Sequence, residues 1–239
     1  MFNALPDSSL HILKVDYIRC MTEHSLHNQL KNWYARDGDL VEAKFGRYVV
    51  DIVRDDLFIE IQTRNFSSIK KKLSQMILKH RVRLVYPIPL IKWITRLNTE
   101  GSKITRRRSP KRGRVEELFN QLVYLPDFCL DSNAEVEVLL VNIEEYLIDD
   151  GKGSWRRKRW SIHDRELLSV EHSEVFRKPS DFIKLLPKEL PTEFTVRQLS
   201  KISKLPLRLT QRMAYCLRHM DIIGLQGKKG RANLYRIKC

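Results

Sequence analysis

The spacing of apolar and polar residues predicts alternating helices and strands in the first hundred residues. Residues 22–36, TEHSLHNQLKNWYAR, carry apolar side chains at helical spacing. Three strand-like runs follow, LVEAKF, YVVDIVRD and LFIEIQT, with the turn-forming pairs Gly46-Arg47 and Asp55-Asp56 between them. The next run, FSSIKKKLSQMILKH, predicts a helix, and VRLVYPI predicts a fourth strand parallel to the third.

The remaining chain divides into two further segments of different character. Residues 99–178 begin with a basic loop, SKITRRRSPKRGR, and continue with a short helix, VEELFNQLVYL, and two strand-like runs, AEVEVLLVNIEEYLID and RELLSVEHSEVF. Residues 179–239 read as a short helix, a helix capped by Thr195, a longer helix LRLTQRMAYCLRHM and a hairpin with a basic tip. This last order is typical of a winged helix. We therefore predict three domains, 1–98, 99–178 and 179–239.

Net charge narrows the range of partners. The 239 residues carry a formal charge of +15 and a pI near 9.8, which favours a polyanion and above all nucleic acid. A membrane is disfavoured because no apolar run approaches the roughly 18 residues of a spanning helix, and no signal peptide is evident. The four cysteines form no CxxC pair, which argues against a zinc knuckle and for reduced thiols in the cytoplasm.

Candidate chemistry lies on the hairpin of the first segment. Glu60 and Gln62 are two residues apart on one strand and therefore point to the same face. Asp51, on the neighbouring antiparallel strand, can join them across a gap of about 5 Å. Two converging carboxylates repel each other unless a cation lies between them, and Mg²⁺ or Mn²⁺ suits two carboxylates and a phosphate oxygen. The alternative is that both acids are solvent-facing residues of an amphipathic hairpin.

These residues resemble the core of the PD-(D/E)xK nuclease superfamily, which includes archaeal Holliday-junction resolvases and many restriction enzymes. Asp51 and Glu60 match the acids of the family motif, and Glu23 stands where the first helix supplies a carboxylate. Two positions depart from the motif: Val50 replaces its proline, and Gln62 replaces its lysine. Some restriction enzymes of the superfamily use Glu-x-Gln.

The resemblance implies a metal-dependent site in which Gln62 orients the attacking water. Glutamine carries no charge, so the missing positive charge could come from Lys70 or Lys71 on the following helix, or from Arg64. The resemblance covers about the first 95 residues and implies a restriction-endonuclease-like mixed sheet flanked by helices. Together with the β-rich middle segment and the C-terminal winged helix that the patterns indicate, the predicted fold class is α/β.

Dense basic runs indicate where nucleic acid would bind. In the middle segment the candidates are Arg106, Arg107, Arg108 and Arg112 of the basic loop, and Arg156, Arg157 and Arg159 between two tryptophans. In the winged helix they are Arg208, Arg212, Lys228, Lys229 and Arg231. The alternatives are a solvated linker, tryptophans that belong to a core, and a winged helix that binds protein.

The sequence therefore predicts a metal-dependent DNA endonuclease whose winged helix binds duplex DNA. The rival is a non-catalytic DNA-binding regulator built on a degenerate nuclease fold, for which Gln62 and Val50 are the best support. RNA is not excluded as the ligand. A homodimer is also open, because many nucleases of the superfamily act as dimers, although the sequence carries no dimer signature.

Overall fold

The computed structural model describes residues 25–155 and 160–238, which contain five α-helices and ten strands. The helices are α1 Ser25–Tyr34, α2 Phe66–Met76, α3 Phe119–Leu122, α4 Val196–Ser203 and α5 Leu207–His219. The strands are β1 Leu40–Phe45, β2 Tyr48–Arg54, β3 Leu57–Ile61, β4 Arg81–Leu97, β5 Lys103–Arg108, β6 Ala134–Ile148, β7 Ser161–Phe176, β8 Glu193–Thr195, β9 Ile223–Lys229 and β10 Ala232–Ile237. Short 3₁₀ helices cover Val115–Leu118, Phe128–Leu130 and Pro179–Leu185.

The larger sheet is mixed, with the strand order β1-β2-β3-β4-β6-β7 and β5 paired to β4. The first three strands form an antiparallel meander, and α2 then crosses over so that β4 lies parallel to β3. The α/β fold class with a mixed sheet and flanking helices is thereby confirmed. No helix among the described residues is long and apolar enough to cross a membrane.

Contacts between residues divide the chain into two compact units. The main unit comprises residues 34–90, 113–141 and 170–238, and the small unit comprises 25–33, 91–112 and the described part of 142–169. Strands β4, β6 and β7 each contribute residues to both units. The predicted boundaries at residues 98 and 178 therefore do not coincide with the boundaries between these units.

One hydrophobic core runs through the main unit. Phe66, Leu73 and Met76 recur on one face of α2 and are buried in the same cluster as residues of β4. The cluster continues through Phe119 into the C-terminal helices, where Met213 is fully buried. Each such side chain contributes roughly 1.5–3 kcal/mol when it leaves water. The sheet and the C-terminal helices are therefore stabilised by the same core.

The C-terminal helices and strands, residues 193–238, form what we call the C-terminal module. Its strands make a second sheet of order β8-β10-β9, with α4 and α5 between β8 and β9 in the chain. The predicted cap at Thr195 is confirmed: its hydroxyl accepts a hydrogen bond from the Gln198 N–H, and the Gln198 side chain accepts one from the Thr195 N–H. Strand β8 was not predicted, because three residues carry too little pattern.

One prediction for the middle segment was wrong. The basic run beginning at Lys103 was expected to be a loop, but it forms β5, an antiparallel partner of the end of β4. Trp93 pairs with Arg108 and Thr95 with Arg106 in this register. The charge density of the run masked its strand character, because an edge strand needs only one neighbour and can carry charged side chains towards solvent.

Strand β6 carries four buried glutamates, and neighbouring cations reach them. In the main unit, Glu135 accepts hydrogen bonds from Arg81 and Arg83 at 2.6–2.9 Å. In the small unit, Glu144 pairs with Arg106 at 3.0 Å, and Glu145 lies between Lys92 at 3.1 Å and Arg165 at 3.0 Å. Burial raises the pKa of Glu135, Glu144 and Glu145, but these cations outweigh it and hold each pKa below the ordinary 4.5.

We expect acid to destabilise the fold through these glutamates. A carboxyl group with a lowered pKa in the folded state stabilises it above the unfolded pKa, and this contribution is lost as pH falls through the folded pKa. The free energy of unfolding, measured in urea, should therefore decrease as pH falls below about 4.5, and Glu144→Gln should weaken that dependence. An unchanged pH dependence in the variant would contradict the assignment.

Candidate functional site

The two acids of the predicted site lie on the neighbouring strands of the β2–β3 hairpin. The antiparallel register pairs Ile52 with Ile59 and Val53 with Phe58, and the paired positions end one residue before Asp51. The Asp51 carboxylate also reaches β3, where its Oδ2 accepts a hydrogen bond from the Ile61 N–H at 2.8 Å.

Glu60 is 5% exposed and is neutralised by a lysine of α2. The Nζ of Lys72 lies 2.5 Å and 2.6 Å from the two carboxylate oxygens, and the Lys72 side chain is 15% exposed. A carboxylate this deeply buried requires such a partner, because an isolated buried charge is very costly. The cation at this hairpin is therefore Lys72.

The expectation that Lys70 or Lys71 would supply the positive charge is corrected by this contact. Successive helical residues differ by about 100° in direction, so two residues on one helix can face nearly opposite ways. Lys70 lines a separate depression with Leu125 and Phe128, and Lys71 is exposed. The absence of a lysine at position 62 suggested that a lysine of this helix replaces it, but the direction of each helix residue depends on how α2 packs on the sheet.

Gln62 lies on the same strand as Glu60 and contacts the start of α2. Its amide nitrogen donates to the Asn65 carbonyl at 3.2 Å and to the Ser68 hydroxyl at 3.3 Å. Asn65 has a left-handed backbone with φ of 60°, so these contacts hold a tight turn between β3 and α2. The role of Gln62 in orienting water remains a prediction.

The remaining predicted residues of this site lie on an exposed loop or outside the described residues. Arg64 is exposed on the loop before α2. Glu23 and the basic residues Arg156, Arg157 and Arg159 lie outside the described residues.

The carboxylate oxygens at the hairpin are the kind of donor that a hard divalent cation prefers. Asp51 and Glu60 supply carboxylate oxygens, and Mg²⁺ is commonly bound by one or two carboxylates together with water and phosphate oxygens. The ammonium group of Lys72 already contacts both oxygens of Glu60. A metal bound to Glu60 would therefore compete with Lys72 and release its ammonium group towards a phosphate.

A second feature is a groove in the C-terminal module. Because four cations line it, we call it the basic groove. It has a volume of about 790 Å³ and lies between α5, the first residues of α4 and the β9–β10 hairpin. Its four cations are exposed, and none forms a salt bridge with another described residue; they are Arg197, Arg218, Lys229 and Arg231. The polar side chains of Gln211 and Asn233 and the ring of Tyr215 complete the lining.

Only some of the predicted winged-helix residues line this groove. Lys229 and Arg231 line it, and Lys228 and Arg208 are exposed elsewhere on the module. Arg212 is instead half-buried and donates to the Asn120 side-chain oxygen at 2.7 Å, so it connects α5 to the core. This corrects the expectation that Arg212 faces nucleic acid.

Sequence reasoning missed Arg197 and Arg218. Arg218 follows Gln211 by seven residues and Ala214 by four, so helical spacing alone could have placed it on the exposed face of α5. Arg197 could not be found that way, because its position beside α5 depends on how α4 packs.

The arginines in and after β5 also differ in whether their charge is paired. Arg106 donates to the Glu144 carboxylate at 3.0–3.2 Å, so its charge is paired and it is not a phosphate ligand of the predicted kind. Arg107, Arg108 and Arg112 are exposed and form no salt bridge with another described residue.

We expect Lys72→Met to destabilise the protein by roughly 3 kcal/mol, because it leaves the buried Glu60 charge without its cation. The double variant Lys72→Met with Glu60→Gln should recover much of this loss. Urea unfolding of both variants measures the effect, and Lys71→Met, at an exposed neighbour, is the control. A loss as small as that of the control would contradict the buried pair.

In comparisons with known proteins, the chain matches a protein family and is similar to a bacterial protein. Residues 24–177, more than half of the chain, match the family described as "Domain of unknown function (DUF8091)". An "Uncharacterized protein" of Treponema pallidum (strain Nichols) is 29% identical over 225 residues, which cover 92% of this chain and 87% of that protein. No solved structure matches the chain at a significant level.

The family match spans β1 to β7 and therefore includes the hairpin with Asp51 and Glu60, but it ends before the C-terminal module. The similarity to the Treponema protein covers 92% of the chain and therefore extends into that module. The chain belongs to the DUF8091 family.

Proposed function

We propose that this protein is a metal-dependent DNA endonuclease. The observation that carries the proposal is the contact of the Asp51 carboxylate with the Ile61 N–H at 2.8 Å, which brings Asp51 to the residue next to Glu60 on β3. The order of helix, three antiparallel strands, helix and parallel strand supports it, because the PD-(D/E)xK resemblance implies that same order.

In this proposal each residue of the hairpin has a distinct task. Asp51 and Glu60 hold Mg²⁺ or Mn²⁺, which when bound activates water and stabilises charge on the phosphodiester. Lys72, which contacts both Glu60 oxygens, would present its ammonium group to the phosphate when Glu60 holds the metal. Gln62 keeps the β3–α2 turn in place and orients water, and Glu23 assists from the segment before α1.

The C-terminal module supplies DNA binding as a winged helix. Its element order and the sheet β8-β10-β9 support that identification. Helix α5 enters the major groove, and the β9–β10 hairpin lies along the backbone. The four unpaired cations of the basic groove bind phosphates, which are the anions that a basic groove without acidic residues selects.

The second candidate is a non-catalytic DNA-binding regulator. It is favoured by the contact between Lys72 and both oxygens of Glu60, which satisfies that carboxylate without a metal. Gln62, in the position of the family lysine, is likewise engaged by the turn before α2. In this case the basic groove alone carries the function.

The setting of the proposal is the cytoplasm, in keeping with two buried cysteines that are not in disulfides, Cys129 and Cys216. DNA is the proposed ligand. RNA binding and a homodimer are variants of this proposal. Extended versions of the cleavage and binding experiments below can distinguish them from DNA binding by a monomer.

We expect Asp51→Ala and Glu60→Ala each to abolish Mg²⁺- or Mn²⁺-dependent cleavage while duplex affinity stays within about twofold, because neither residue lines the basic groove. The assay presents linear duplex, flapped, single-stranded and four-way-junction DNA to each purified protein. Asp56→Ala, at an exposed acid of the same hairpin, is the matched control and should cleave normally. Binding without cleavage of any substrate by the unaltered protein would favour the regulator.

We expect Arg218→Ala to weaken duplex binding and to lower the slope of log affinity against log salt by about 1, as loss of one phosphate contact does. Fluorescence anisotropy with a 20-base-pair duplex at several KCl concentrations measures both quantities. Lys188→Ala removes an exposed charge outside the groove and should leave the slope unchanged. Equal slopes for the two variants would refute phosphate binding in the groove.

A further inference from the structure

The small unit contains every tryptophan of the chain. The four are Trp33, Trp93, Trp155 and Trp160, and all of them fall within the segments that form this unit. Trp155 is 81% exposed and Trp33 is 50% exposed. Large aromatic rings are usually buried, and these two instead present much of their surface to solvent.

The other two tryptophans are each covered by an arginine. The guanidinium carbon of Arg106 lies 4.1 Å from the centre of the Trp93 ring, and that of Arg96 lies 4.8 Å from the Trp160 ring. Glu144 holds Arg106 in this position at 3.0 Å, while the Arg106 side chain stays 44% exposed. A guanidinium plane fixed on a ring offers its outer face for further stacking.

Unpaired positive charge lies directly beside these stacks. Arg108 is the register partner of Trp93, and Arg107 pairs with Ile94. Both arginines are exposed, and neither forms a salt bridge with another described residue. The chain from Lys103 to Arg112 also contains no acidic residue. Arg108 therefore lies on the same face as the Arg106–Trp93 stack, and Arg107 lies on the other face of the edge strand β5.

We propose that the small unit binds single-stranded nucleic acid, with bases stacked on Trp155 and on the Arg106–Trp93 pair and phosphates bound by Arg107 and Arg108. Rings and guanidinium planes recognise the faces of bases, which are accessible in a single strand and covered in a duplex. This site is separate from the basic groove, and it does not depend on cleavage at Asp51 and Glu60.

Affinity for single strands tests the proposal in the full-length protein. The probes are fluorescein-labelled dT20 and rU20, followed by anisotropy. Trp155→Ala should weaken binding of both on the order of tenfold, the usual effect of losing one stacked base, whereas Trp155→Phe should retain most of the affinity. Tyr124→Ala, which removes a half-exposed ring from the main unit, is the matched control and should have no effect.

A charge variant tests the phosphate contacts separately. Arg107→Ala with Arg108→Ala should lower the salt slope of dT20 binding by about 1.4, the value for two contacts with a single strand. Because these side chains are exposed and unpaired, the variant should unfold at the same urea concentration as the unaltered protein.

Intrinsic fluorescence gives a readout that belongs to the small unit alone, since all four tryptophans lie in it. Saturating dT20 should quench this emission, and Trp155→Ala should reduce the quenching. Unchanged emission on binding, or affinities within twofold for both Trp155→Ala and the double arginine variant, would overturn the proposal. Neither result bears on cleavage, which depends on Asp51 and Glu60.

Discussion

Ion pairing between neighbouring strands and helices is the constraint on which this structure depends. A carboxylate buried in a sheet is tolerated only where a cation or hydrogen-bond donor reaches it, since burial alone would strongly favour its neutral form. Glu60, Glu135 and Glu144 each have such a cation, from α2, β4 and β5 respectively. Among the described residues, exposed cations without a salt bridge lie in the basic groove and along β5.

Local patterns predicted most of the elements. The meander β1–β3, the helix α2 and its return into a parallel β4 follow from strand-like runs, turn pairs and helical spacing. That Asp51 reaches β3 could be predicted as well, because the pairing of a hairpin depends on residues close in the chain. The cap at Thr195 is equally local, since its partner Gln198 is three residues away.

What could not be predicted is how side chains from distant segments meet. Lys72 reaches Glu60, while Lys70 lines another depression, because α2 packs in one rotation on the sheet. Arg106 and Arg212 have ordinary surface sequence contexts, yet Glu144 and Asn120 bind them across 38 and 92 residues of chain. A basic residue in a sequence therefore cannot be assigned to a ligand until its internal acceptors are known.

The core shared by the sheet and the C-terminal module has a thermodynamic consequence. Because Phe66 of α2 and Met213 of α5 belong to one buried cluster, neither part can lose its packing without exposing the apolar surface of the other. Any molecule that binds the folded module more tightly than the unfolded chain must then raise the melting temperature of the hairpin that bears Asp51 and Glu60. A ligand of the C-terminal module would thus protect the hairpin from unfolding through the core that they share.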